Sequence, residues 1–221
     1  IKMWAFLTST VPAAKMREVA LYGTQVIKVT GSYDQAKEVA AEFARQRGLF
    51  NDFGARSIPC VESMKTLSFE IAEQLARVRI PHLDRPSPYW QAPDWYIQSV
   101  SGGLGPLGVH KGFDEMQKMG WTSLMPRMAM IQAEGCAPMV HAWKQNRQVA
   151  IPVKSPSTLI TTLATGDPGR TYTLLRDKML STSGGTIESV TDEEAFRAMH
   201  LVAKMEGISV EPAAAVAFAG L

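Results

Sequence analysis

The chain has 221 residues, of which 46% are hydrophobic and 20% charged, and its formal net charge at pH 7 is +2. This length suits one large domain or two small ones, and the balanced charge argues against a nucleic-acid-binding protein. No apolar run reaches the roughly 18 residues that a membrane-spanning helix needs. Cys60 and Cys136 have neither metal-site spacing nor a disulfide framework around them, which is typical of free thiols in a cytoplasmic protein.

Residues 1–48 alternate between predicted strands and predicted helices. The strand segments are IKMWAFL and TQVIKVTG, which are apolar or rich in β-branched residues. Helical patterns follow each of them, PAAKMREVALYG after the first and SYDQAKEVAAEFARQRG after the second. Ser32 is the predicted N-cap of the second helix and Gly48 its terminator. This alternation predicts an α/β fold with mostly parallel strands.

A longer helix and a proline-rich segment follow. The helix is predicted over VESMKTLSFEIAEQLARV, where Met64, Leu67, Ile71, Leu75 and Val78 share one face. Four prolines then interrupt IPHLDRPSPYWQAP, which indicates a linker over residues 81–93. We therefore predict a smaller α/β subdomain portion with a connecting helix at 1–80, and a second α/β subdomain at 94–221.

The second subdomain continues the alternation. The predicted strands are WYIQSV, RMAMIQAE, a short strand after the Gly-Gly turn of TYTLLRDKMLSTSGGTIESV, and ISV. The predicted helices are GVHKGFDEMQKMG, APMVHAWKQN, SPSTLITTLATGDPGR, the first part of TYTLLRDKMLSTSGG, TDEEAFRAMHLVAKMEG and EPAAAVAFAGL. Thr191 and Glu194 form a predicted capping box. The chain begins inside a predicted strand and ends inside a predicted helix, so we expect it to be a piece of a longer chain.

The glycine cluster SGGLGPLG at residues 101–108 is the strongest candidate for a ligand site. A strand, a glycine-rich turn and a helix in this order can hold a phosphate with free N–H groups at the positive end of the helix dipole. Gly103–Gly108 also spells G-x-G-x-x-G, a weak indicator of a dinucleotide. Glu134 is the candidate ribose ligand, although it lies 26 residues beyond Gly108 rather than the expected ~20. A tight turn without a ligand remains the third alternative.

Other polar residues give weaker signals. Glu134 and Glu211 follow predicted strands, where cofactor sites of α/β proteins gather, although either could instead cap or orient a helix. The histidines, His82, His110, His141 and His200, have no metal-ligand spacing. We expect them to be exposed or lightly buried, and we predict no metal site. Lys65 and Lys111 are expected to be solvated helix residues.

Five segments together resemble the pyridoxal-phosphate-dependent enzymes of fold type II, and among these most closely the threonine synthases. They are PAAKMREVALYGTQVIKVTGSYDQAKEVA, ESMKTLSFEIAEQL, DWYIQSVSGGLGPLGVHKGFDEM, MIQAEGCAPMVHAW, and the stretch from SGGTIESV to the C-terminus. The resemblance covers nearly the whole chain. It implies a three-layer αβα fold with mostly parallel sheets in two subdomains, here incomplete because the last strand of the second subdomain would follow Leu221.

The resemblance also implies a cofactor site. Ser101, Gly102, Gly103, Leu104 and Gly105 would hold the 5′-phosphate of pyridoxal phosphate. The family often has Asn in this loop, and the Ser101 hydroxyl could compensate for its absence. The lysine that forms the Schiff base is expected upstream of Ile1, so that this chain would carry no catalytic residue and would be inactive alone. Neither Lys65 nor Lys111 matches its position.

The implied activity is that of a lyase of threonine biosynthesis, which converts O-phosphohomoserine to threonine and phosphate. The implied partners are a small amino-acid substrate and a second subunit in a homodimer, in the cytoplasm, without nucleic acid or membrane. Another fold type II enzyme, such as a threonine dehydratase or a cysteine synthase-like enzyme, is the alternative. Two functions of other classes are further alternatives. One is an NAD(P)-binding oxidoreductase, which the G-x-G-x-x-G pattern allows, and the other is a non-catalytic scaffold.

Overall fold

The computed structural model describes residues 2–52, 54–79, 90–182 and 184–221. The chain divides into two compact units, residues 1–53 and residues 54–221. Residues 81–89 of the predicted linker lie outside the described residues, so the boundary drawn there from the sequence stays a prediction. The helix that the sequence groups with residues 1–80 packs within the second unit. None of the helices in the described part of the chain is long and apolar enough to cross a membrane.

The first unit contains the predicted strand–helix–strand–helix sequence. Its elements are β1 (Trp4–Thr8), α1 (Ala13–Ala20), β2 (Gln25–Val29) and α2 (Tyr33–Arg47). β1 and β2 pair in parallel, with Trp4 opposite Gln25. Ser32 caps α2 in a capping box, and Gly48 ends this helix in the left-handed conformation at φ 61°. Both boundary predictions for α2 are therefore confirmed.

The second unit is built on a three-stranded parallel sheet. Its elements are α3 (Ile58–Arg79), β3 (Trp95–Ser99), α4 (Leu104–Lys118), β4 (Arg127–Ala133), α5 (Pro138–Lys144), α6 (Arg170–Ser181), β5 (Gly185–Val190), α7 (Asp192–Glu206) and α8 (Pro212–Ala219). The strand order is β3-β4-β5, and both pairs are parallel. The predicted α/β class with parallel strands is confirmed.

Side chains of β4 alternate between the two faces of this sheet. On one face, Met128 and Met130 pack in a cluster with Leu107 of α4 and with Tyr172, Leu175 and Met179 of α6. On the other face, Ala129 and Ile131 pack with Ala195 of α7 and with Ala213 and Val216 of α8. Six of the seven β4 residues are buried, because helices cover both faces of a parallel sheet. The second unit thus has the predicted order of layers, helix, sheet, helix.

One predicted helix, SPSTLITTLATGDPGR, is wrong. Only Thr161–Leu163 form a short 3-10 turn there. The backbone instead bonds to distant segments, since the Ser157 N–H donates to the Gly135 carbonyl at 2.9 Å and the Leu159 N–H donates to Asp192 Oδ2 at 2.7 Å. These tertiary bonds replace the local bonds that a helix would make.

The predicted strand ISV is also wrong. Residues 208–210 pair with no strand in the part of the chain that the structure describes. Gly207 ends α7 in the left-handed conformation, and the chain then runs directly to Pro212, the first residue of α8. A three-residue apolar stretch between two helices is too short to indicate a strand by itself.

The packing of α3 against α4 differs from the predicted amphipathic face. The buried residues of α3 are Ser68, Ala72 and Ala76. By contrast, Leu67 of the predicted face is 40% exposed and Val78 is 74% exposed. The cause lies in α4, which presents glycines to α3. Because these glycines have no Cβ, the α3 helix can approach α4 closely.

The contact between the two helices is very close at both glycines of α4. A Cβ at Gly108 would lie 2.3 Å from Met64 Cβ and 2.8 Å from the Val61 carbonyl oxygen. A Cβ at Gly112 would lie within 1.9 Å of Ser68 Oγ. Close approach at these glycines therefore joins α3 to α4, alongside apolar packing of α3 on Val109, Phe113 and Met116.

A cluster of four charges borders this contact. Lys65 Nζ lies 2.5 Å from Glu62 Oε2 and 2.6 Å from Glu115 Oε2. Lys111 Nζ lies 2.6 Å from Glu115 Oε1 and also contacts Glu62. The side chain of Lys65 is only 15% exposed, so the expectation of a solvated lysine is wrong for this residue. Hydrogen bonds from Lys111 and Lys65 lower the pKa of both carboxyl groups.

Candidate functional site

The glycine cluster lies at the carboxyl edge of the parallel sheet. β3 ends at Ser99, and the Val100 N–H still donates to the Ile131 carbonyl at 2.8 Å. The chain then leaves the sheet and reaches α4 through Gly103, which is the N-cap residue of that helix at φ 84°. Ligands of open α/β sheets bind at this edge. The predicted strand–turn–helix geometry of the loop is therefore present.

The loop presents four consecutive backbone donors that have no partner in the part of the chain that the structure describes. Among the described residues, no hydrogen bond uses the N–H groups of Gly102, Gly103, Leu104 or Gly105. The first bond back from α4 runs from the Leu107 N–H to the Gly103 carbonyl at 3.3 Å. Four consecutive donors at the positive end of a 15-residue helix form a cradle for an anion.

One side of this loop is closed by packing. A Cβ at Gly103 would lie 2.9 Å from both Leu175 Cδ1 and Thr171 Cγ2. A Cβ at Gly105 would lie 2.5 Å from the Gln98 amide nitrogen. A larger residue at either position would have to displace these side chains or the loop.

The other side of the loop is open. A Cβ at Gly102 would meet no atom within 4 Å. Gly102 also has no positive φ, so its backbone conformation suits a residue with a side chain. The protein therefore leaves space on this side of the loop, next to Gly102.

Gln98 is itself held behind the loop. The Tyr96 hydroxyl donates to Gln98 Oε1 at 2.9 Å. Burial raises the pKa of Tyr96 to about 12, so its hydroxyl keeps its proton and remains a donor at neutral pH. The amide of Gln98 is therefore oriented by one strand neighbour and packs against Gly105.

Ser101, at the start of the loop, contacts a residue that sequence reasoning missed. Its Oγ lies 2.5 Å from Thr165 Oγ1. Thr165 is 9% exposed and precedes α6 in the chain. The sequence offers no signal for this contact, because Thr165 lies in the segment wrongly predicted to be a helix.

The two carboxylates predicted near the site lie on loops outside the cradle. Glu134 is exposed and opens a short 3-10 turn directly after β4. Glu211 is exposed and occupies the N-cap position of α8, but its side chain makes no capping hydrogen bond. No described contact joins either carboxylate to residues 101–105, so their part in a cofactor site stays a prediction.

Gln132 is a second buried polar residue close to this edge. It is fully buried near the end of β4, and its Oε1 accepts from the Met139 N–H at 2.9 Å and from the Val140 N–H at 3.2 Å. These bonds satisfy two donors at the start of α5. Gln132 thus fixes where the chain turns from β4 into that helix.

Clusters that could bind a metal are absent from the described ranges: no three His, Cys, Asp or Glu side chains converge there. His141 and His200 are exposed, as expected, whereas His82 lies outside the described residues. His110 is 2% exposed, so the expectation of an exposed or lightly buried histidine is wrong for it. Its position on the buried face of α4 accounts for the difference.

The environment of His110 opposes a positive charge. Its Nε2 lies 3.1 Å from Thr182 Oγ1, while its Nδ1 has no partner among the described residues. Burial lowers the pKa of His110 to about 4, with smaller effects from Lys178 and Lys118 in the same direction and from Asp114 in the opposite direction. The imidazole is therefore neutral at pH 7.

We expect the free energy of unfolding to fall by about 2 kcal/mol between pH 7 and pH 5 on account of His110. The folded-state pKa lies below the unfolded value of about 6.5, so the unfolded state takes up the proton first. Stability is full above that value and is lost as the pH falls toward 4. Urea unfolding at a series of pH values measures the effect. His110→Gln should flatten this dependence, and an equal slope in both proteins would contradict the assignment.

Comparisons with known proteins agree with this geometry. The family model described as "Pyridoxal-phosphate dependent enzyme" matches residues 1–221. The threonine synthase of Methanocaldococcus jannaschii is 35% identical over 216 residues, which cover 96% of this chain and 48% of that protein. The threonine synthase of Methanosarcina acetivorans is 32% identical over 213 residues, with the same coverage. The chain thus spans about half the length of the curated relatives it matches.

Solved structures share the fold. Maize serine racemase superposes with a TM-score of 0.75 at 19% identity, covering 100% of this chain and 58% of the other. The processed form of threonine deaminase isoform 2 from Solanum lycopersicum gives a TM-score of 0.72 at 20% identity, covering 99% and 56%. The fold, the glycine loop and the match over the full chain lead to one assignment. The chain belongs to the family of pyridoxal-phosphate-dependent enzymes.

Proposed function

We propose that residues 101–105 bind the 5′-phosphate of pyridoxal phosphate. The observation that carries this proposal is the run of four free N–H groups at the start of α4, in a chain that matches the family over its whole length. The N–H groups would hold the phosphate, and Ser101 would add a hydroxyl beside them. When bound, the cofactor supplies an electron sink for chemistry at the amino-acid substrate.

The cradle suits a single phosphate group better than a dinucleotide. Gly108, the last glycine of the G-x-G-x-x-G spelling, packs against α3 at a backbone contact. The carboxylate that the dinucleotide alternative needs, Glu134, makes no described contact with the loop. The family match also favours pyridoxal phosphate over NAD(P).

We propose further that the whole protein acts as a threonine synthase, which converts O-phosphohomoserine and water to threonine and phosphate. Two relatives that carry this name are 35% and 32% identical over nearly the whole chain. Threonine deaminase and serine racemase resemble it in fold alone, at 20% and 19% identity. The substrate is accordingly a small amino acid, and we propose a homodimer in the cytoplasm.

The lysine that binds the cofactor covalently is proposed to lie upstream of Ile1. Lys65 and Lys111 are unsuited to this role because both are held in ion pairs between α3 and α4, Lys65 with Glu115 and Lys111 with Glu62. On this proposal the 221-residue chain contributes the phosphate cradle and the sheet, and the chain by itself does not turn over substrate.

Cofactor binding and product analysis in the intact protein test these proposals. Pyridoxal phosphate should bind and produce a visible absorption band that borohydride abolishes, with one lysine labelled. O-Phosphohomoserine should then yield equal amounts of threonine and phosphate. Deamination of threonine or serine without this reaction would replace the substrate assignment while retaining the cofactor. Binding of NADH without binding of pyridoxal phosphate would overturn both.

A further inference from the structure

We propose that Thr165 is a positioning residue that orients the Ser101 hydroxyl toward the phosphate of the cofactor. This inference rests on the proposed function, because it concerns the same loop. Its basis is the contact of 2.5 Å between Thr165 Oγ1 and Ser101 Oγ. The two residues are 64 positions apart in the chain, so the fold brings this hydroxyl to the loop.

The backbone on both sides of Thr165 is fixed. The Ala164 N–H donates to the Thr161 carbonyl at 3.2 Å, and the Gly166 carbonyl accepts from the Val153 N–H at 2.9 Å. Thr165 itself is 9% exposed. The position of Thr165 is therefore well defined. Ser101 lies in a glycine-rich loop, where few other contacts select its side-chain rotamer.

The chemistry of the pair favours one direction of proton donation when phosphate is bound. Each hydroxyl has one proton and can both donate and accept. In the structure the Ser101 hydroxyl donates to Thr165. A phosphate oxygen only accepts, so Ser101 must turn its proton to the phosphate. Thr165 can then donate to the oxygen of Ser101, and this second bond strengthens the first.

The arrangement also explains how a single serine in this loop could hold a ligand. A serine hydroxyl rotates freely and holds a ligand weakly unless a neighbour fixes it. Thr165 supplies that neighbour from the segment before α6. The Ser101–Thr165 pair is thus a two-residue unit, and the effect of Thr165 depends on the presence of Ser101.

A double-mutant cycle on the intact protein tests this dependence. Equilibrium dialysis should measure the affinity for pyridoxal phosphate, and for pyridoxal as the ligand without phosphate, in the wild type, Ser101→Ala, Thr165→Val and the double variant. We expect Thr165→Val to weaken pyridoxal phosphate binding about three- to tenfold, on the scale of one hydrogen bond. It should have no further effect in the Ser101→Ala background, and pyridoxal binding should be unchanged throughout.

Thr165→Ser is the matched control, since it keeps the hydroxyl and should bind pyridoxal phosphate as the wild type does. An unchanged affinity in Thr165→Val would overturn the inference, as would an equal loss in the Ser101→Ala background or an equal loss for pyridoxal. If Thr165→Val fails to fold, a loss of affinity in Thr165→Ser would also contradict it. Failure of the wild type to bind pyridoxal phosphate would instead overturn the proposed function.

Discussion

Replacing Gly102 by alanine should weaken the binding of pyridoxal phosphate roughly tenfold or more, on the scale of a lost charge-assisted hydrogen bond. The free energy of unfolding should change by less than about 0.5 kcal/mol. A Cβ at Gly102 meets no atom of the protein within 4 Å, so the fold can accept it. The same methyl group would occupy the open side of the cradle, where the phosphate is proposed to bind.

Dialysis against pyridoxal phosphate and urea unfolding of the same preparation provide the two measurements. Gly105→Ala is the matched comparison within the loop, because its Cβ would lie 2.5 Å from the Gln98 amide nitrogen. That variant should lose stability as well as affinity. Wild-type affinity in Gly102→Ala would show that the ligand does not use the open side of the loop.

Gly108→Ala should lower the free energy of unfolding by about 3 kcal/mol. A Cβ at this position would lie 2.3 Å from Met64 Cβ and 2.8 Å from the Val61 carbonyl oxygen. Neither obstacle is the far end of a flexible side chain, so α3 and α4 would have to separate. This cost exceeds the gain of up to about 1 kcal/mol that alanine has over glycine within a helix.

Gly112→Ala is the comparison that identifies the cause. Its Cβ would lie 1.9 Å from Ser68 Oγ, an obstacle that a second substitution can remove. We expect a loss of about 2 kcal/mol from Gly112→Ala alone, and Ser68→Ala should restore part of it. Ser68→Ala should not rescue Gly108→Ala. Urea unfolding of the single and double variants gives the coupling free energies, and the same rescue at both glycines would contradict a local steric cause.

Local signals in the sequence were sufficient for most element boundaries. The N-cap at Ser32 and the capping box of Thr191 and Glu194 are present, and Gly48 ends α2, all as predicted. Each of these depends on hydrogen bonds within a few residues, which the sequence displays directly. The parallel arrangement followed from the alternation of strands and helices.

The buried face of α3 could not be predicted from such local signals. Periodicity marks a stripe of large apolar residues, and Leu67 and Val78 lie on that stripe. The face that α4 contacts is decided by Gly108 and Gly112, two residues of a different helix. Sequence spacing within α3 carries no information about how closely a neighbour approaches.

In the candidate site, too, local features could be predicted from the sequence and tertiary contacts could not. The glycines of residues 102–105 predicted the turn between β3 and α4, because the backbone itself makes the cradle. Thr165 could not be predicted, since its contact with Ser101 joins two segments that are close only after folding. The buried state of His110 depends likewise on packing around α4.

The cradle consists of N–H groups and a hydroxyl, and none of these groups ionises in the physiological range. As proposed, the loop would bind an anion without any formal charge of its own. Within the loop, changes of affinity with pH can come only from the ligand, whose phosphate gains its second negative charge near pH 6. In an enzyme with this loop, the affinity for the cofactor would depend on the charge of the phosphate. The loop itself would carry no charge that changes with pH.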